Sequence, residues 1–207
     1  LDLTNPTAGA LLITGERGSG KSSLLRMILS TVAENNAPEQ TCFYILANNY
    51  HEYSDLGEAE ACKQCLGLRD PGAVQLFETL FKEIDQRREY PSLSYIVVGI
   101  DGLAQISQIR DSDFQARFLR LVKHGPRLGV WLAATLTAQE AEQLDPALVE
   151  AFRTHLLGAI ANPSLATYLG RDSEAPAGEL ERGTQFCAYV DEDWFKFWVS
   201  EPKGGAG

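Results

Sequence analysis

Gly15-Glu16-Arg17-Gly18-Ser19-Gly20-Lys21-Ser22 satisfies the pattern GxxxxGK[ST] at every fixed position. A short apolar run, residues 10–14 (ALLIT), leads into it, and residues 22–33 follow with Leu24, Leu25, Ile28, Leu29 and Val32 at helical spacing. Strand, glycine-rich turn and helix in that order form a phosphate cradle, because glycines let successive backbone N–H groups converge on phosphate oxygens. The start of the helix adds its partial positive charge at the same point. Lys21 is placed to neutralise β- and γ-phosphates, and Ser22 offers a hydroxyl to Mg2+. The expected cradle is Gly15, Glu16, Arg17, Gly18, Ser19, Gly20, Lys21, Ser22 and Ser23. An incidental Lys-Ser after a glycine turn is the competing reading, and the flanking strand and helix weigh against it.

Apolar runs and helical patterns alternate along the rest of the chain. Thr41–Ala47 (TCFYILA) reads as a strand, residues 48–72 as a long loop or a hidden short helix, and residues 74–90 as the longest helix. Residues 94–100 (SYIVVGI) and 129–135 (GVWLAAT) are near-continuous apolar runs, the signature of strands buried on both faces of a parallel sheet. Residues 113–123, 138–144 and 146–152 read as helices, and residues 155–161 as a further strand. Gln185–Val190 and residues 194–199 alternate around Asp191-Glu192-Asp193, predicting an antiparallel hairpin at the sheet edge. The expected fold is a three-layer α/β/α sandwich around a mainly parallel sheet with this C-terminal hairpin. One domain over residues 1–200 is expected, with a flexible glycine-rich tail at 201–207.

The magnesium partner of Ser22 is expected at the carboxyl end of a buried strand, and Asp101 is the first charge after SYIVVGI. Lys21 and Asp101 are thus the candidate catalytic residues, and Ser22 and Asp101 the candidate metal ligands. Many hydrolytic enzymes with this loop place a glutamate directly after such an aspartate to polarise water. Gly102 stands there.

Charge and cysteines limit the alternatives. The 207 residues include 18 Lys and Arg against 28 Asp and Glu, a net charge of −10, which disfavours long-range attraction to nucleic acid. Hydrophobic residues at 44% exclude global disorder, and no apolar run approaches the roughly 20 residues of a membrane span. Cys62-Lys-Gln-Cys65 has the spacing of half a zinc site or of a redox pair, but no second pair completes a tetrahedron. Reduced thiols on a helix or loop are expected, with a cytoplasmic location. Because the sequence starts at Leu1, a piece of a longer protein is expected.

The loop, the strand ending in Asp101 and the later segment from Lys123 to Thr135 (KHGPRLGVWLAAT) together resemble the FtsK/SpoIIIE–HerA motor domains. There the later segment reads GR-x-x-G-[IV]-H-L-x-L-A-T-Q-R-P. Residues 154–170 (THLLGAIANPSLATYLG) resemble the family's next strand and helix, and Gly183-Thr184-Gln185-Phe186 its late turn, so the likeness spans most of residues 8–199. The resemblance implies a RecA-like P-loop NTPase fold, bound ATP and Mg2+, and assembly into a homo-oligomeric ring, alone or within a larger parent chain, that moves DNA or protein.

Four positions depart from the family pattern. Gly102 replaces the catalytic glutamate, Leu136 the glutamine that senses the γ-phosphate, Pro126 an arginine (with Arg127 one place along) and His155 another arginine. The combination resembles the accessory ATPase modules of type VII secretion proteins and implies weak or absent hydrolysis. The alternative is a catalytically silent nucleotide-binding module that docks a partner protein. A small-molecule kinase is disfavoured because no arginine-rich lid is visible. Arg17 suits phosphate or a neighbouring subunit, Asn48, Asn49 and Glu52 either orient water or cap a turn, and the aromatics Trp194, Phe195, Phe197 and Trp198 are split between core and docking.

Overall fold

β-branched and apolar residues in uninterrupted runs favour strands buried on both faces, and the structure, a computed structural model describing residues 2–170, 174–190 and 193–199, arranges them accordingly. Eight strands form one sheet: β1 (Leu11–Gly15), β2 (Thr41–Ala47), β3 (Cys62–Gly67), β4 (Tyr95–Asp101), β5 (Val130–Thr137), β6 (Thr154–Leu157), β7 (Gln185–Val190) and β8 (Asp193–Trp198). Their order is β3-β2-β4-β5-β1-β6-β7-β8. β1 to β6 pair in parallel, and β7 and β8 add the expected antiparallel hairpin. The sequence-based expectation of an α/β/α sandwich is borne out.

The helices are α1 (Lys21–Asn35), α2 (Ser54–Gly57), α3 (Pro71–Glu89), α4 (Leu103–Ser107), α5 (Ser112–His124), α6 (Ala138–Ala141), α7 (Pro146–Ala151) and α8 (Pro163–Leu169). Alternate strand residues serve opposite faces. Ile13, Val97 and Trp131 pack with Leu24, Leu25 and Leu29 of α1, whereas Leu12, Val98 and Leu132 pack with the side of α3 and α5. On that second face Phe77, Phe81, Phe114 and Phe118 interlock, with Phe77 edge-on to Phe114 at 5.5 Å and to Phe118 at 5.3 Å. On the first face α1 lies so close to the sheet that a Cβ on Gly99 would sit 2.7 Å from Leu29.

Three expectations are corrected. Residues 48–72 contain an edge strand, β3, besides a 3-10 turn and α2. Cys62 and Cys65 therefore lie on a strand, not on a helix or loop; a bulge beside Phe43 and Tyr44 places them opposite Phe43 and Ile45, both against the α1-side core. All four cysteines are free, and burial pushes the Cys62 thiol up to about 11, leaving it protonated and poorly nucleophilic. The strand expected at 155–161 is only Thr154–Leu157. The hairpin aromatics divide: Trp194 and Phe197 pack against the two cores, while Phe195 and Trp198 are 55% and 66% exposed. Asp191 and Glu192 of the hairpin turn, and the tail at 201–207, lie outside the described residues. Among the described residues no helix is long and apolar enough to cross a membrane.

Candidate functional site

The glycine-rich loop runs from the end of β1 to the start of α1, at the carboxyl edge of the parallel strands. Its entry is anchored to the segment after β6: Glu16 N–H donates to the Ala159 carbonyl at 2.9 Å, and Gly158 N–H donates to Thr14 at 2.8 Å. Gly18 and Gly20 have φ of +77° and +86°, in the left-handed region that side chains disfavour. Nothing lies within 4 Å of where a Cβ of Gly18 would stand, so the loop keeps an open face there. Ser19 turns the other way, its hydroxyl buried against Gly15 and Gly158 without a hydrogen-bond partner.

Lys21 is half-buried at the first position of α1, and its Nζ donates to the Glu16 carbonyl at 2.8 Å. Burial pushes its ammonium below the ordinary value, against the opposing pull of Asp101 and Glu140, while Arg17 adds to the lowering. Ser22 Oγ donates to Asp101 Oδ1 at 3.1 Å, joining the loop to the end of β4. Asp101 accepts two further hydroxyls, Thr135 Oγ1 on Oδ1 at 2.6 Å and Tyr53 Oη on Oδ2 at 2.9 Å. A serine hydroxyl beside a carboxylate is a hard oxygen pair suited to Mg2+, and the open glycine face beside a half-buried lysine suits phosphate. The residues present fit both groups.

The remaining candidates are placed less uniformly. Ser23, half-buried, follows in the first turn of α1, and Arg17 is exposed. The Glu16 side chain faces away from the lysine: its carboxylate accepts Ala161 N–H at 2.8 Å and Arg182 at 2.6 Å. It acts in the cradle through its backbone and braces the loop with its side chain. Asn49 donates to Glu52 at 2.6 Å within the turn after β2.

The four departures from the family pattern have physical settings. Gly102 has φ +118°, and a Cβ there would lie 2.5 Å from Gln105 Oε1 and 2.9 Å from Asn48 Nδ2. The backbone here favours glycine, so the strand end is not a suitable place to restore a glutamate. Leu136 is 1% exposed and belongs to the core on the α3 and α5 side. His155 is buried, its ring nitrogens 2.8 Å from the Leu169 carbonyl and 2.9 Å from that of Phe152. Pro126 and Arg127 lie in the 3-10 turn Gly125–Leu128 before β5, at the opposite end of that strand from Thr137, which pairs with Gly15. Arg127 therefore does not reach the loop of its own chain.

Two residues at the site were not singled out from the sequence. Tyr53 hides in the stretch read as loop. Glu140 is the third residue of α6, where its carboxylate accepts the Thr137 N–H at 3.1 Å and hydroxyl at 2.5 Å in a capping box. The T-x-x-E signature at Thr137–Glu140 was available as a helix-start signal. What it did not reveal is that the Glu140 charge acts on Lys21.

No family model and no curated protein matches the sequence. Solved structures do. The chain is similar to EssC (ATPases 2 and 3) from Geobacillus thermodenitrificans, with TM-score 0.79 and 16% identity, over 97% of this chain and 41% of that one. It is similar to Thermomonospora curvata EccC (ATPases 2 and 3) in complex with a signal sequence peptide, with TM-score 0.77 and 14% identity, over 96% of this chain and 38% of that one. It is also similar to the genome packaging NTPase B204 from Sulfolobus turreted icosahedral virus 2 in complex with AMPPCP, with TM-score 0.61 and 16% identity, over 93% and 97%. The chain thus spans about two fifths of the two secretion ATPases. The chain shares the fold of these ATPase and NTPase domains.

Proposed function

We propose that this chain binds ATP with Mg2+ at residues 15–23 and serves as a motor-type module in an oligomeric assembly that translocates DNA or protein, with slow hydrolysis. The observation that carries this reading is the 3.1 Å contact between Ser22 and Asp101 beside the half-buried Lys21. On this reading the backbone N–H groups of the loop and Lys21 bind the phosphates, while Ser22 and Asp101 hold the metal. The metal supplies charge neutralisation at the phosphate oxygens when bound. Glu16 and Arg182 brace the loop, and Asp101 is kept in place by hydroxyls. No carboxylate follows Asp101, so water activation is poor and turnover is low.

Net charge favours a protein over DNA as the cargo. Similarity to the cytoplasmic domain of the type VII secretion ATPase EccC agrees with that preference and with a cytoplasmic location, whereas the genome packaging NTPase B204 favours nucleic acid. A second reading, a silent nucleotide-binding module that docks a partner, is favoured by the exposed Phe195 and Trp198 on the terminal strand of the sheet.

The test is steady-state phosphate release with and without double-stranded DNA, beside light scattering with ATP present. Slow, DNA-independent release from an oligomer is expected. Motor-like turnover would refute the slow-hydrolysis reading, and a strict monomer at high concentration would refute the ring.

A further inference from the structure

Asp101 stands at the carboxyl end of β4, and the terminal torsion of an aspartate is intrinsically broad. An octahedral Mg2+ site tolerates little misdirection of its ligands. Something must therefore hold the carboxylate toward Ser22, whose hydroxyl can donate its proton to Asp101 and still offer a lone pair to the metal.

We infer that Tyr53 and Thr135 are positioning residues that clamp Asp101, one hydroxyl on each carboxylate oxygen, and so keep it aimed at Ser22 for the metal. Tyr53 Oη donates to Oδ2 at 2.9 Å and Thr135 Oγ1 to Oδ1 at 2.6 Å. Thr135 and Tyr53 are 3% and 1% exposed, so water does not compete for either bond. Thr135 comes from β5, paired in register with Asp101. Tyr53 comes from the turn after β2, and that turn is tied to the helix carrying Ser22: Arg26 of α1 donates to the Glu52 carbonyl at 2.6 Å and pairs with Asp55. The Ser22 hydroxyl and the two clamp hydroxyls all donate to Asp101, which leaves the Ser22 lone pairs free for the metal.

This inference rests on the ATP and Mg2+ reading of the site. It is tested by calorimetric titration of a non-hydrolysable ATP analogue at graded Mg2+ and in EDTA, using wild type, Tyr53→Phe and Thr135→Val. Partners that orient metal ligands commonly account for about 10–100-fold in metal affinity. We expect each variant to need roughly 10-fold more Mg2+ for half-maximal enhancement of nucleotide binding, with EDTA affinity within about two-fold of wild type. Thr135→Val keeps the β-branched shape and answers the question if Tyr53→Phe does not fold, as judged by its melting curve. An unchanged Mg2+ requirement, or an equal loss of affinity with and without Mg2+, would overturn the clamp. Failure of wild type to bind nucleotide in either condition would instead overturn the reading beneath it.

Discussion

Gly20, at the start of the first helix, lies against Gly183 in the turn before the hairpin, so close that a Cβ at position 20 would overlap the Gly183 carbonyl oxygen. Two glycines far apart in sequence thus let the turn before β7 pack against the base of the phosphate loop. Arg182 beside them reaches Glu16 at 2.6 Å, adding a partly exposed ion pair to the same contact. The late turn and the loop form one unit.

Gly20→Ala should therefore disturb more than the loop itself. The added methyl group meets backbone rather than a yielding side chain, and φ of +86° is strained for alanine. A left-handed non-glycine residue costs about 1–2 kcal/mol, and the overlap adds to it. Denaturant unfolding is expected to show at least that loss, and an unchanged midpoint would contradict the packing.

Gly102→Glu is expected to give no gain in turnover. The residue sits at φ +118° with Gln105 and Asn48 against it, so a loss of roughly 1–3 kcal/mol is expected from backbone strain. Leu136→Gln should also fail to restore a phosphate contact, since it places an amide in the core at a cost of about 1–3 kcal/mol. Thermal melts and phosphate release on both variants check this. A stable Gly102→Glu chain with raised turnover would refute it.

These two positions show what the sequence allows and what it hides. The phosphate loop, the strand ending in Asp101 and the hairpin are legible because short-range rules govern them: fixed glycines, a β-branched run, alternation around a turn. Gly102 reads in sequence as a missing acid, whereas in the fold it is a backbone requirement, which only φ and the neighbours reveal. β3 escaped because Cys62–Gly67 is an edge strand with two exposed polar residues, Lys63 and Gln64, and a bulge that breaks its alternation. Tyr53 escaped with it, as a tyrosine in an apparent loop whose role depends on the long-range contact to Asp101.

Glu140 is, with Asp101, one of the two acids whose charge acts on Lys21. Glu140→Gln retains an oxygen for the Thr137 cap, so the fold should be unaffected. If residual hydrolysis draws on this carboxylate, turnover should fall by about 10²-fold or more. Nucleotide affinity should hold or tighten, because a negative charge near the phosphates is removed. Phosphate release at saturating ATP reads the first effect and calorimetry the second; full turnover in the variant would remove Glu140 from consideration.

The central claim is that residues 15–23 hold ATP with Mg2+ through Lys21. Calorimetric titration of ATP with Mg2+ into wild type and Lys21→Ala, both shown folded by their melting curves, measures it directly. A charged hydrogen bond is worth about 1.5–3 kcal/mol, roughly 10–100-fold in affinity. One ATP per wild-type chain and a loss of that size in the variant are predicted. Absence of binding by wild type, or equal affinity in the two chains, would contradict the account.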